Sequence, residues 1–291
     1  MDWESGEMRY YPSSAGSSRM PDEYPVQEPA SSIETEGSED CQGSPPTRFV
    51  TEYETRILSP STYLQHNPIT INSDTDFVAQ GWPGSGTEAD PYVIAGLNIT
   101  TNGDCISISN TTAHFVIREC ILVCGPQYGA IVLNNVTNGV IERCQISGRA
   151  SGVYVSSSSN ICLMNNTIIN NAAYGVWFRA GSTNNRLSDN VISGNTEAGV
   201  CILSSSNNTI DVNIIRDNSG NGVSLIGASD IHVLGNTICN NSEIGVAIGT
   251  SWGNILTGNN IIYNSGLGVC FYSTATDNQI YLCLLYTSPS P

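Results

Sequence analysis

The chain has 291 residues, enough for one or two domains, and its 40% apolar content suffices for a core. Charged residues make up only 12%, every basic residue is arginine, and the net charge of −16 argues against nucleic acid or an anionic membrane as partner. No apolar run approaches the roughly 20 residues that cross a bilayer, and 28 glycines among abundant Asn, Ser and Thr suit short strands and tight turns, not helices.

Residues 1–66 scatter Pro, Ser, Glu and Gly without periodicity and read as a disordered, low-complexity tail. The opening MDWESGEMRYYPSS lacks the basic and apolar segments of an export signal. From residue 67 the character changes, and PITINSDTDFVAQGWPGSGTEADPYVIAGLNIT leads straight into repeats. A solenoid must shield its end from water and from strand addition, so residues 67–104 read as an N-terminal cap. Within it Asp74, Asp76, Glu88 and Asp90 could offer oxygen ligands to calcium, although their spacing matches no calcium loop. No cofactor is expected on these grounds.

Residues 105–282 repeat with a period of about 23. GAIV at Gly129 is followed by GVYV at Gly152, GVWF at Gly175, GVCI at Gly199, GVSL at Gly222, GVAI at Gly245 and GVCF at Gly268, and CISI at Cys105 precedes them. One residue after the glycine stand Ile106, Ala130, Val153, Val176, Val200, Val223, Val246 and Val269. Three after it stand Ile108, Val132, Val155, Phe178, Ile202, Leu225, Ile248 and Phe271. That alternation puts both columns on one strand face. A second block, N-x-I-x-x-N-x-x-x-G, recurs from Asn166, Asn190, Asn213, Asn236 and Asn259. Three residues before each stands Leu163, Leu187, Ile210, Val233 or Leu256. Three short apolar strands per period predict an all-β, right-handed parallel β-helix of about eight coils, the handedness following from the general bias of parallel crossovers.

Stacked asparagines can bond from coil to coil, because the side chain carries both donors and an acceptor; Asn166, Asn190, Asn213, Asn236 and Asn259 are read as such a ladder. Cys120 and Cys144 continue that column as buried thiols or as a disulfide, both being open on spacing alone. Six sequons, at Asn98, Asn110, Asn135, Asn165, Asn207 and Asn240, weigh little in so Asn-rich a chain. The last residues, Cys283 to Pro291, read CLLYTSPSP and resemble a translated sequencing adapter; residues 283–291 are therefore expected to be artefactual, with further coils or domains following Leu282 in the natural protein.

The repeat N-x-I-x-x-N-x-x-x-G-V and the cap pattern I-N-S-D-x-D-F followed by G-W-x-G-x-G-T-x-x-D-P-Y-x-I resemble β-helix repeat proteins of the NosD and carbohydrate-binding/sugar-hydrolysis type, common in archaea. The resemblance implies an extracellular, cell-surface or periplasmic location and a polysaccharide or glycan partner. Its namesake members serve copper-enzyme maturation. Copper handling draws on clustered His, Met and Cys; here His66, His114 and His232 stand far apart, Met164 is the sole methionine of the coils, and Cys201 and Cys270 share an outward column three coils apart.

Glycosidases need two carboxylates side by side. Glu119 falls over Arg143 and Arg118 over Glu142, which reads as two ion pairs between coils. Glu197 and Glu243 share a column but lie two coils apart, roughly 10 Å at the usual strand spacing. No catalytic residue is assigned. Tyr154 and Trp177 occupy the same outward position on successive coils, with Arg179 on Trp177's strand and Tyr174 just before Gly175. Aromatic faces stack on sugar rings and a nearby arginine bonds hydroxyls, but aromatic neighbours also stabilise a bare sheet. The expectation is a carbohydrate-binding or cell-surface scaffold module. The alternatives are a polysaccharide lyase or hydrolase whose catalytic coils lie beyond this fragment and a periplasmic copper-maturation partner.

Overall fold

The computed structural model describes residues 63–287, which form a parallel β-helix. Three strands per coil build three sheets, and every strand pairs in parallel with its counterpart on the next coil. Strands β5 (Ile106–Thr111), β8 (Gly129–Val136), β11 (Ser151–Ser156), β14 (Val176–Arg179), β17 (Val200–Leu203), β20 (Val223–Ile226), β23 (Val246–Gly249) and β26 (Val269–Tyr272) follow β2 (Ile69–Ile71) in one nine-stranded sheet. The second and third sheets stack the residues around Ile168 and around Leu163. Of the proposed tail, residues as far as 62 lie outside the described region, while β1 (Leu64–Gln65) already pairs with β4 (Leu97–Thr100). At the other end β28 (Leu284–Thr287), within the segment read as artefactual, pairs with β25 (Asn260–Asn264).

The period-2 alternation decides which side chains go inside. Val153, Val176, Val200, Val223 and Val246, with Val155, Phe178, Ile202, Leu225 and Ile248, are buried as the repeat predicts. One coil departs from it. Val153 pairs with Ile131 rather than Ala130, and Val155 with Leu133 rather than Val132. The interior thereby gains an isoleucine in place of an alanine and a leucine in place of a valine, which at about 0.8 kcal/mol per buried methylene outweighs a regular repeat length. The loop before Gly129 takes up the extra residue, and a register shift between Ile146 and Gly148 releases it.

Asparagines occupy all three corners. In the predicted ladder Asn166 Nδ2 donates to Asn190 Oδ1 at 3.0 Å, Asn190 to Asn213 at 2.9 Å, Asn213 to Asn236 at 3.0 Å and Asn236 to Asn259 at 3.0 Å. A second ladder runs through Asn171, Asn195, Asn218, Asn241 and Asn264. A third, interrupted by Ile231, includes Asn185 to Asn208 and Asn254 to Asn278. Cys144 continues the first column, its backbone N–H donating to Asn166 Oδ1 at 3.0 Å, and both Cys120 and Cys144 are thiols. Burial holds Cys144 well above the ordinary thiol range.

A separate set of asparagines supplies left-handed corners, a conformation Asn tolerates better than other side chains. Asn110, Asn135, Asn165, Asn207 and Asn240 all have φ between 52° and 56°. These are five of the six sequons. In Asn165-Asn166-Thr167 the three positions are a left-handed corner, a ladder rung and an outward strand residue, so turn chemistry accounts for the pattern.

The segment read as the cap contributes strands and one short helix, α1 (Asp74–Ala79). Phe77 of α1 is fully buried, stacked on Tyr92 at 4.6 Å and beside Phe115 at 5.8 Å. Asp74 accepts hydrogen bonds from the Thr111 hydroxyl and from the Thr112 N–H at 3.1 Å, and Asp76 accepts from the Asn72 N–H at 2.7 Å. The Asp74 carboxylate ties the cap to the first coil, while that of Asp76 closes a turn within the cap.

The anticipated ion pairs rearrange. Arg143 reaches Glu119 at 3.1 Å as expected, but it also takes Glu142 at 2.7 Å; Arg118 lies opposite Glu142 in register and makes no ion pair among the described residues. One guanidinium between two carboxylates satisfies both, which leaves Arg118 to solvent. Arg143 is 46% exposed, and Arg143→Ala is expected to cost under about 1 kcal/mol in urea unfolding. Asp211 receives a two-pronged contact from Arg186 at 2.9 and 2.5 Å across adjacent coils.

Candidate binding site

The outward face of the β2-to-β26 sheet carries two columns. The first runs Ser107, Val132, Tyr154, Trp177, Cys201, Ser224, Ala247 and Cys270; the second runs Ser109, Asn134, Ser156, Arg179, Leu203, Ile226, Gly249 and Tyr272. Because the coils are in register, residues 23 apart in sequence become neighbours about 4.8 Å apart. Tyr154 and Trp177 are such a pair.

The four side chains singled out from the sequence come together. Tyr154 meets Trp177 edge-to-face, with ring centroids 5.3 Å apart at 86°, and Tyr174 packs on Trp177 at 5.1 Å. The Arg179 guanidinium lies 5.0 Å from the Trp177 ring and 6.0 Å from that of Tyr154. These contacts fall in the range of favourable aromatic and cation–π geometry. A fifth residue extends the cradle: Tyr128, 63% exposed, stands 5.6 Å from Tyr154. Asp104 fixes its loop by accepting the Tyr128 and Gly129 N–H groups, each at 3.1 Å. Sequence reasoning missed Tyr128, although it precedes Gly129 as Tyr174 precedes Gly175, and that parallel was the available signal.

The cradle is dry at its base. Trp177 Nε1 is buried with no hydrogen-bond partner among the described residues. Burial, reinforced by the Cys201 thiol and the Glu197 carboxylate, pushes the Tyr174 phenol up to about 12, so it stays a neutral hydroxyl. Burial, then Glu197, likewise raises Cys201 to about 12. Such a surface has the chemistry to stack a ring and donate or accept a few hydrogen bonds. It holds no carboxylate pair.

Asp74 and Asp76 are engaged by backbone and hydroxyl donors, and among the described residues no group of three or more His, Cys, Asp and Glu converges. His66 lies 5.7 Å from Trp82, and His232 is exposed on the third sheet.

Residues 65–212 and 124–285 match the family described as periplasmic copper-binding protein (NosD). No curated protein matches the chain. Similar solved structures include the Azotobacter vinelandii mannuronan C-5 epimerase AlgE4 A-module, at 18% identity and TM-score 0.57, with 71% of this chain and 67% of that one covered. A variant of the periplasmic alginate epimerase AlgG has 16% identity and TM-score 0.58 over 74% of this chain and 54% of its own. The enzymatically active domain of bacteriophage CBA120 tailspike protein 2 has 12% identity and TM-score 0.52 over 76% and 38%. The chain spans from about a third to two thirds of these proteins' lengths, and likeness at these identities shows the shared fold. The copper of the family description draws on soft sulfur or clustered imidazole; the separated histidines and the absence of a converging donor set among the described residues do not fit a copper centre.

Proposed function

The chain belongs to the NosD family, and from that premise we propose that it is an extracytoplasmic β-helix module that binds a polysaccharide across the cradle of Tyr128, Tyr154, Tyr174, Trp177 and Arg179. The single observation behind this reading is the convergence of four aromatic rings and a guanidinium on three successive coils of one sheet. A ring that stays partly exposed beside a flat strand surface offers a sugar its apolar face without rearrangement, which keeps the ordering cost of binding low. The named activities of the structural neighbours, on alginate and mannuronan, agree with a glycan ligand. No helix among the described residues is long and apolar enough to cross a membrane, and the family's periplasmic description supports placement outside the cytoplasm.

Trp177→Ala tests the reading on a glycan array. Removing the central ring deletes the contact shared by Tyr154, Tyr174 and Arg179, and binding is expected to fall at least about tenfold, the equivalent of one well-placed aromatic contact. Thermal unfolding would be measured alongside to confirm that the coils persist. Retention of wild-type binding by a folded Trp177→Ala protein would overturn the site.

A further inference from the structure

The strands of the cradle's sheet, from β2 to β26, contain one charged residue, Arg179. That cation stands among hydroxyl, aliphatic and aromatic side chains in a protein whose net charge is −16. Arg143, Arg186 and Arg216 each pair with a carboxylate, whereas Arg179 has no ion pair or side-chain hydrogen bond to any described residue. Its neighbours along the column are Ser156 and Leu203, and the first column beside it holds Tyr154, Trp177 and Cys201. Glu197, the carboxylate felt by Tyr174 and Cys201, acts near the start of β14, whereas Arg179 ends it.

Cation–π contact with Trp177, 5.0 Å from its ring, holds the guanidinium against the aromatic cluster and limits its hydration, which lowers the cost of pairing it with an anion. A neutral sugar would meet Arg179 through hydroxyls alone and leave its charge unanswered among strands that carry no other charge. A carboxylate matches the planar donor fork in two parallel hydrogen bonds. Resting on the cradle reading above, we infer that the ligand is an acidic glycan, a polymer containing uronate residues, in which one sugar ring lies on Trp177 and the carboxylate of that sugar or its neighbour pairs with Arg179. The protein's overall negative charge opposes a polyanion at long range. That repulsion is screened beyond about 8 Å at physiological ionic strength, and a contact pair is not.

The test uses polygalacturonate, polymannuronate and polyglucuronate, each paired with its carboxyl-reduced neutral polymer, against the full chain at about 0.15 M salt by calorimetric titration. At least one polyuronate is expected to bind about tenfold or more tightly than its neutral counterpart, the scale of a charge-assisted contact. Arg179→Gln is expected to erase that preference, weakening the polyuronate by more than its neutral counterpart, and Arg179→Lys to retain part of it. Equal affinity of acidic and neutral polymers in the wild type, or an undiminished preference in a folded Arg179→Gln protein, would overturn the inference while leaving the cradle standing. Failure of every polymer, acidic and neutral alike, would sink both the cradle and the inference drawn from it.

Discussion

Asn213→Ala is expected to lower the unfolding free energy by about 3 kcal/mol or more, a large fraction of the 5–15 kcal/mol typical of a folded domain. Asn213 is 1% exposed. Its Nδ2 donates to Leu187 O at 2.8 Å, Asp211 O at 3.0 Å and Asn236 Oδ1 at 3.0 Å. Its Oδ1 accepts from the Asn190 backbone N–H at 3.0 Å and from Asn190 Nδ2 at 2.9 Å. Alanine would strand buried donors on one coil and carbonyls on two, with no route to water, and each such orphan costs about 1–3 kcal/mol. Because each coil contacts only its neighbours, the damage should be centred on two interfaces and appear as a broadened or split transition. Urea unfolding followed by circular dichroism measures it against Thr209→Ala, an outward change on the same coil expected to stay within about 0.5 kcal/mol. Equal stability of the two variants would mean the ladder follows from the coil's geometry without supporting it.

A comparable loss, about 3 kcal/mol, is expected from Gly222→Ala, for a steric reason. A Cβ there would meet Ile238 Cγ2 at 2.4 Å, Gly245 O at 2.6 Å and Asn241 Nδ2 at 2.9 Å. Two of those atoms are a carbonyl in the next coil and a ladder rung, so neither can yield without breaking inter-coil bonding. Gly152, Gly175, Gly199 and Gly245 face the same three kinds of atom, which is why glycine leads the strand on coil after coil. Gly249 supplies the control. Its Cβ would meet only Tyr272 Cβ, at 3.8 Å, and Gly249→Ala should be neutral or slightly stabilising by thermal melting. Equal effects at Gly222 and Gly249 would remove close coil packing as the cause of the repeated glycine.

Much of this was legible in the residues because a solenoid converts a sequence interval into a spatial neighbour. The glycine at the head of each strand, the valine after it and the leading Asn of the second block sit where the period places them. Tyr154 over Trp177, with Arg179 and Tyr174 beside them, followed from the same register. The slip at Gly129 was not legible, since GAIV fits the glycine pattern and only interior volume favours Ile131 and Leu133 over Ala130 and Val132. Nor was the choice made by Glu142, because Arg118 stands opposite it in register while Arg143 follows it in the chain, and only the folded side chains show that it takes Arg143.

The sequence by itself determined the coil, its period, its inward columns and which side chains share an outward column, because strand alternation and coil-to-coil stacking depend on spacing alone. Tertiary structure decided what spacing does not encode. The second and third asparagine ladders depend on which corner residues turn inward, and the other asparagines became left-handed corners because backbone φ differs at chemically identical residues. The loop held by Asp104 brought Tyr128 onto the cradle. The isolation of Arg179 from every described carboxylate is likewise a property of the assembled sheet, since charge pairing is settled by reach in three dimensions and not by order along the chain.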